Sequence, residues 1–129
     1  MSTNPNIMSF VAASAVTEFA VVSMDSAGKV AVTSAATDNK VVGVAQRAAA
    51  AGDAVEVLVH GITRIIASET IDETKPILSA ATGGKLQPCE VTDTTFYPIA
   101  RLLLNINQTQ VDADEQGFAF FFGPSSLNT

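Results

Sequence analysis

The sequence predicts an all-β fold, a small β-barrel or sandwich of about nine short strands preceded by an extended N-terminal arm. Turn-forming residues recur at short intervals, and the segments between them are rich in Val, Ile, Thr and Phe. No long window of the sequence keeps a helical period. Many short strands at such spacing are typical of sandwiches and barrels.

Turns rich in Asp, Asn and Gly separate the first four predicted strands. Asp25-Ser26-Ala27-Gly28 ends the first strand, Asp38-Asn39-Lys40 ends the second, and Ala51-Gly52-Asp53 lies between the third and the fourth. These residue types favour turns because Gly adopts positive φ, and because Asp and Asn side chains bond to nearby backbone. The predicted strands span residues 17–24, 29–34, 41–46 and 54–60.

Five further strands are predicted in the second half, at residues 62–67, 77–79, 85–91, 97–106 and 118–122. His60-Gly61 precedes the first of them and Gly83-Gly84 lies before the third. In the last strand, alternation places Phe118, Phe120 and Phe122 on one face and Phe121 on the other. Residues expected in the core are Val21, Val30, Val42, Val44, Val55, Val57, Val59, Ile65, Leu86, Leu102, Leu104, Phe120 and Phe122.

The first sixteen residues differ in character from the rest. Residues 2–6 are polar and prone to turns, whereas residues 7–11 are apolar and have no evident partner in the sequence. We therefore predict an N-terminal arm over residues 1–16 and a single β-rich domain over residues 17–129. The apolar part of the arm needs a surface, either its own domain, which is the favoured alternative, or a neighbouring molecule.

An internal echo links the two halves of the chain. Gly28-Lys29-Val30 leads through Thr37-Asp38 to the strand at 42–46, and Gly84-Lys85-Leu86 leads through Thr92-Asp93 to the strand that begins near residue 97. In each copy a glycine turn precedes a strand, a Thr-Asp turn and a second strand. Any β-meander repeats such turns, so the alternative of a chance likeness is equally weighted.

Composition excludes several classes of function. The net charge is −6 and the three arginines are scattered, so no basic stripe is available to nucleic acid. No apolar run approaches the ~20 residues of a membrane-spanning helix. The first basic residue is Lys29, so a secretory signal is not expected, and the lone Cys89 suits synthesis in a reducing host cytoplasm.

A search for catalytic and metal-binding patterns gives little. His60 is the single histidine, and its pairing with Cys89 is the one nucleophile-and-base arrangement that the composition allows. The acidic run that begins at Asp112 starts like a calcium loop but has Gly123 where a bidentate Glu is needed. We predict no enzyme activity, no cofactor, no metal and no small-molecule substrate.

Two strands carry bulky apolar residues on both faces, namely the strand around Leu102 to Leu104 and the strand around Phe120. Such strands are either central in a layered fold or buried by another subunit. A chain of this size with few helices has little else to cover them. The pattern therefore favours an oligomer.

The stretch from Val42-Gly43-Val44-Ala45 through Gly52-Asp53-Ala54-Val55-Glu56-Val57 to Gly61-Ile62 resembles the small capsid decoration, or cement, proteins of tailed bacteriophages. Gly28-Lys29-Val30 and Gly84-Lys85-Leu86 fit the same layout, whereas Pro98-Ile99-Ala100-Arg101 departs from it. The resemblance covers about residues 17–104. It implies a homotrimer on the outer capsid surface of the virion that binds the major capsid protein and stabilises the head against internal DNA pressure.

In that setting the apolar N-terminal arm is a candidate capsid contact, and its residues are Pro5, Ile7, Met8 and Phe10. The alternatives are another virion β-protein, such as a head fibre base or a tail component, and an oligomeric carbohydrate-binding module. The absence of Trp and the presence of a single tyrosine, Tyr97, disfavour sugar binding, which uses aromatic platforms.

Overall fold

A computed structural model describes residues 6–90 and 92–123 of the chain. These residues form an all-β fold, which confirms the predicted fold class. The first five strands are β1 (Ile7–Val11), β2 (Val21–Met24), β3 (Val30–Val32), β4 (Val41–Ala45) and β5 (Ala54–Leu58). The other seven are β6 (Gly61–Ile66), β7 (Ile71–Asp72), β8 (Ile77–Ala80), β9 (Leu86–Pro88), β10 (Ala100–Leu103), β11 (Gln110–Val111) and β12 (Gln116–Phe121).

The strands form two five-stranded antiparallel sheets with the same topology. The first sheet has the order β1-β5-β4-β2-β3 and the second has the order β6-β12-β10-β8-β9. When the strands of each sheet are numbered in chain order, both sheets read 1-5-4-2-3. We call residues 6–59 unit 1 and residues 61–123 unit 2. The small pair β7 and β11 belongs to unit 2.

The repeat extends to individual backbone pairs. Met24 pairs with Val30 in unit 1, as Ala80 pairs with Leu86 in unit 2. A parallel bridge joins Ala12 to Val30 across the two edge strands of the first sheet, and an equivalent bridge joins Ala67 to Leu86 in the second. The paired strand residues of one unit therefore have defined counterparts in the other.

The glycine turns that suggested an internal echo are counterparts in the structure. Gly28 and Gly84 both have positive φ, at 78° and 74°, in the turn between the second and third strands of their units. Lys29 and Lys85 follow them, and their carbonyl oxygens accept the backbone N–H of Asp25 and Ala81. The echo therefore reflects a repeated fold and not only a repeated turn type.

Each unit has its own apolar interior, built from counterpart residues. In unit 1 the buried residues are Ala12, Val16, Val22, Val30, Ala45, Val55 and Val57. Their counterparts in unit 2 are Ala67, Ile71, Leu78, Leu86, Leu102, Gly117 and Ala119, and all except the glycine belong to the second core cluster.

The two units pack against each other through that second cluster. Val21, Val44 and Leu58, which point outward from the first sheet, are buried in it together with the interior of unit 2. Ile7 and Phe19 pack at its margin. One continuous core thus lies inside unit 2 and beneath the outer face of unit 1.

All nine predicted strands overlap strands of the structure, but three strands were not predicted. β7 and β11 have two residues each, too few for a periodic pattern to show. β1 falls in the predicted arm: its residues 7–11 pair along β5, and Phe10 packs against the interior of unit 1. The apolar part of the arm therefore lies on its own domain, the favoured alternative.

Five residues of the predicted core are only half-buried: Val42, Val59 and Leu104, which pack at the margin of a core cluster, and Phe120 and Phe122 on one face of the last strand. Phe118, Phe120 and Phe122 do share a face, but that face is the half-buried outer one. Phe121 is fully buried on the other side, in line with Gly117 and Ala119. The interior of unit 2 is narrow at these small residues, because Val111 already fills the space that a side chain at Gly117 would need.

Candidate interaction surface

The two residues with the best catalytic chemistry lie at different edges of the second sheet. His60 directly precedes β6, and its ring meets that of Phe120 edge to face at 5.1 Å between centroids. Cys89 follows β9, on the opposite edge strand. Burial raises the pKa of the Cys89 thiol, and the nearby Asp93 carboxylate raises it further. A raised pKa keeps the thiol protonated at neutral pH, unlike an activated nucleophile.

The carboxylates of the acidic turn before β12 are engaged in a hydrogen bond with a neighbouring side chain and in an ion pair with a lysine. Asp112 Oδ1 accepts a hydrogen bond of 2.6 Å from Gln110 Nε2, and Lys85 forms an ion pair with Asp114. Within residues 6–90 and 92–123, no three His, Cys, Asp or Glu side chains are grouped so as to hold a metal ion. Nor does this part of the chain contain a helix of the length and apolarity that crossing a bilayer requires.

The outer face of the second sheet is open and carries apolar residues together with the exposed Arg101, which pairs with Phe120. Ile62, Leu103 and Phe118 line a depression of about 210 Å³ on it, and Phe120 lies beside Ile62 in the β6–β12 register. The side chain of Ile62 is 63% exposed. We call these four apolar residues the unit 2 face. The Arg64 guanidinium lies 5.3 Å from the centre of the Phe118 ring, at the rim of the face.

A second open groove lies on the same unit, along the start of β8 and the end of β9. Pro76, Ile77 and Cys89 form its apolar part and Lys75 and Glu90 its charged part, around a volume of about 370 Å³. Lys75 Nζ and Glu90 Oε1 are 3.3 Å apart. We call this groove the unit 2 groove.

Unit 1 exposes apolar residues at its opposite end. Met8 is 54% exposed and Met24 is 41% exposed. Met24 and Val42 line a depression of about 530 Å³ with the turn residues Asp25 and Lys40. We call Met8, Met24 and Val42 the unit 1 end.

The predicted arm residues are divided by the structure. Pro5 lies outside the described residues. Ile7 packs against the core between the units and Phe10 against the interior of unit 1, so Met8 alone of the three described arm residues is exposed. Sequence reasoning did not assign the unit 2 face, although the apolar residues on both faces of β10 and β12 had indicated burial by a subunit.

No family model matches the chain, and no curated protein matches it in sequence. Its fold is similar to the head fiber gp8.5 N base of bacteriophage phi29, with a TM-score of 0.69. The match covers 93% of this chain and 97% of that chain at 13% identity. The likeness therefore includes both units and is a likeness of fold.

Proposed function

We propose that this chain is a structural protein of a phage virion that binds the outer surface of the head. The observation that carries the proposal is the shared fold over nearly the full length of both this chain and the phi29 head fiber base. The sequence resemblance to decoration proteins points to the same place in the virion. Of the two roles, base of a head fibre is the one that the fold likeness favours.

The proposed partner is the major capsid protein, and the proposed assembly is a homotrimer. A rigid trimer that contacts several capsid subunits at once binds with high effective concentration at its second and third contacts, so each contact can be weak. The open unit 2 face and unit 1 end provide apolar surface that such an assembly would cover.

Co-sedimentation with expanded, undecorated heads of the presumed phage tests this proposal. Saturation at a fixed whole-number ratio to the major capsid protein would support it. Added resistance of the heads to heat would indicate a decoration role, and binding without added resistance would indicate a fibre base. Absence of binding would contradict both roles and favour a tail component.

The proposed capsid contact is the start of the N-terminal arm, residues 2–5, because Ile7 and Phe10 pack inside the chain and Met8 belongs to the unit 1 end. Removal of residues 1–12 would delete β1 and the buried Ala12, so loss of binding could follow from unfolding. Removal of residues 2–5 leaves β1 intact. We expect this shorter deletion to weaken head binding and to preserve the thermal unfolding midpoint; unchanged head binding would exclude residues 2–5 as a contact.

A further inference from the structure

Inside the chain, unit 2 covers the outer face of unit 1. The 3-10 turn Thr82–Gly84 of unit 2 sits on the start of β2: the Gly84 N–H donates to the Thr33 carbonyl oxygen at 2.9 Å. A Cβ atom on Gly84 would lie 2.7 Å from Ala20 Cβ. Beside this contact, Gln46 Nε2 donates to Thr63 Oγ1 at 3.0 Å.

The counterpart of the covered face is uncovered on unit 2. Ile7 packs against the core between the units, whereas its counterpart Ile62 is exposed. Leu58 is buried there, and its counterpart Phe120 lies on the unit 2 face. The site on unit 1 that receives the Gly84 turn consists of Ala20, Val21 and Thr33, whose counterparts Pro76, Ile77 and Cys89 line the unit 2 groove.

The counterpart of the covering side is equally uncovered on unit 1. Thr63 is 5% exposed and Ala80 is 2% exposed in unit 2, and their counterparts are Met8 and Met24 of the unit 1 end. The turn at Gly28 corresponds to the turn at Gly84, and it has no atom within 4 Å of the position of a Cβ. Each unit thus exposes the side that its counterpart buries.

We infer that the unit 2 face and groove of one copy of this chain bind the unit 1 end of a second copy, in the geometry in which unit 1 and unit 2 meet inside one chain. The interface is head to tail, because the two surfaces that meet are different. It closes into a ring if the rotation from unit to unit permits. The inference deepens the homotrimer of the proposed function by naming the surfaces that join its subunits.

One exchanged pair remains complementary across the inferred interface, while Arg101, the counterpart of the buried Val44, adds an exposed charge to it. The counterparts of the hydrogen-bonded pair Gln46 and Thr63 are Leu103 and Met8, so an apolar pair replaces a polar pair. Both are partly or largely exposed in the single chain, and their contact would remove that surface from water.

The turn at Gly28 is a candidate occupant of the unit 2 groove. It is exposed, and it has the same glycine backbone conformation as the Gly84 turn, in which Gly84 itself is buried at the corresponding site inside the chain. Asp25 lies in the exposed turn, and the unit 2 groove holds Lys75, which is paired with Glu90, so one charge of opposite sign is available to Asp25 there. The counterparts of Asp25 and Lys75 inside the chain, Ala81 and Phe19, are both uncharged.

A cysteine introduced in the turn tests the inferred geometry with the native thiol. Because the Gly84 N–H bonds to the Thr33 carbonyl, the backbone of Gly83 runs near Thr33, although a Cβ on Gly83 would have no atom within 4 Å. The corresponding pair between copies is Ala27 and Cys89. We expect a bismaleimide reagent with a short spacer, which adds to both thiols and needs no Cβ contact, to join Ala27→Cys to Cys89 of another copy at alkaline pH, where the Cys89 thiol ionises. Denaturing electrophoresis reports the covalent oligomers.

Ala51→Cys is the matched control, since Ala51 is an exposed alanine in another turn of unit 1 whose counterpart Ala113 is exposed as well. We expect at least about tenfold more cross-linked protein from Ala27→Cys than from this control. Adding Cys89→Ser to Ala27→Cys should prevent the formation of any species larger than a dimer. Equal cross-linking of the two variants, or none in either, would overturn the inference.

The experiment uses the protein without heads, so its outcome is separate from that of head binding. Cross-linked oligomers that fail to bind heads would contradict the proposed function and support the inferred interface. Head binding by a chain that does not cross-link at Ala27 would support the function and overturn the interface.

Discussion

Unit 1 and unit 2 have the same strand order and the same pairing registers, yet their outer faces meet different surroundings. The outer face of unit 1 is buried beneath unit 2, whereas the outer face of unit 2 carries phenylalanine and isoleucine in the open. Backbone topology alone therefore does not decide which face of a sheet belongs to the core. Whether the outer face of a sheet is buried depends on what packs against it, and for unit 2 we infer that another copy of the chain does.

The interiors of the two units differ at one pair of counterpart positions, where the large and the small side chain exchange places. Unit 1 has Ala49 opposite the large Val55, and unit 2 has Val111 opposite Gly117 at the counterpart positions. A Cβ atom on Gly117 would lie 2.5 Å from Val111 Cγ2, so valine at both positions cannot fit. Both units thus hold one valine and one small residue at these two positions, but the valine is Val55 of the last strand in unit 1 and Val111 of the facing segment in unit 2.

Conversion of the unit 2 pair to the unit 1 arrangement should have the largest effect on stability. We expect Gly117→Val alone to cost about 3 kcal/mol of the free energy of unfolding through overpacking. Val111→Ala alone should cost about 2 kcal/mol through a cavity. The double variant should return to within about 1 kcal/mol of the parent, because each change relieves the other. Urea unfolding at one fixed protein concentration measures all three variants. If the double variant lost the sum of the two single losses of unfolding free energy, the two positions would not share one space.

The two glycine turns should respond differently to one methyl group. Gly84→Ala brings both a positive φ and a contact at 2.7 Å with Ala20, and should cost about 3 kcal/mol in unfolding free energy. Gly28→Ala brings the same backbone strain without a contact in the single chain, and should cost about 1 kcal/mol. Urea unfolding of the two variants in dilute protein gives the difference. Equal costs would mean that the Gly84 turn does not pack against unit 1.

The turns before the last strand of each unit provide a smaller test. Asp114 has φ of 66° where its counterpart Gly52 has 88°. Asp114→Gly relieves this strain and removes the exposed ion pair with Lys85, so we expect a change in unfolding free energy within about 0.5 kcal/mol of zero. Glu115→Gly, which relieves no positive φ, should cost about 1 kcal/mol in unfolding free energy, and urea unfolding measures both variants.

The smallest effect is expected at Asp72, whose counterpart in unit 1 is the uncharged Thr17. Hydrogen bonds from the hydroxyl and the backbone N–H of Thr74 lower the pKa of the Asp72 carboxyl. A lowered pKa in the folded state adds stability above the unfolded-state pKa, and this stability is lost as pH falls through the folded-state pKa. Asp72→Asn should therefore be less stable than the parent at neutral pH and approach it in strong acid. A difference in unfolding free energy between parent and variant that stays constant from neutral pH to strong acid would exclude this source of stability.

The sequence predicted the fold class and nine strands because alternation and glycine turns are local signals. It also showed the repeat, through Gly28-Lys29 and Gly84-Lys85, although short sequence matches had left chance as an equal alternative. It did not reveal which face of the Phe-rich strand is buried. That choice depends on Val111, which reaches Gly117 across the structure, and distant contacts leave no local pattern.

The sequence indicated that an apolar surface for a subunit contact exists, but it did not show where on the molecule that surface lies. Apolar residues on both faces of two strands indicated a subunit contact, and the unit 2 face carries such residues. The N-terminal arm was selected instead because its residues 7–11 had no visible partner in sequence. β1 finds that partner in β5, some forty residues later, and only the pairing shows it.

Sedimentation velocity of the protein without heads measures the head-to-tail association of the two units itself. We predict that the parent sediments as a whole-number multiple of its 13.4 kDa chain mass, three for the proposed trimer, and that Ile62→Glu on the unit 2 face shifts it to monomer. Ile106→Glu is the matched control, because Ile106 is 87% exposed and lies outside both inferred surfaces, and it should sediment as the parent does. A monomeric parent, or an Ile62→Glu variant that stays assembled, would contradict the head-to-tail association of the two units.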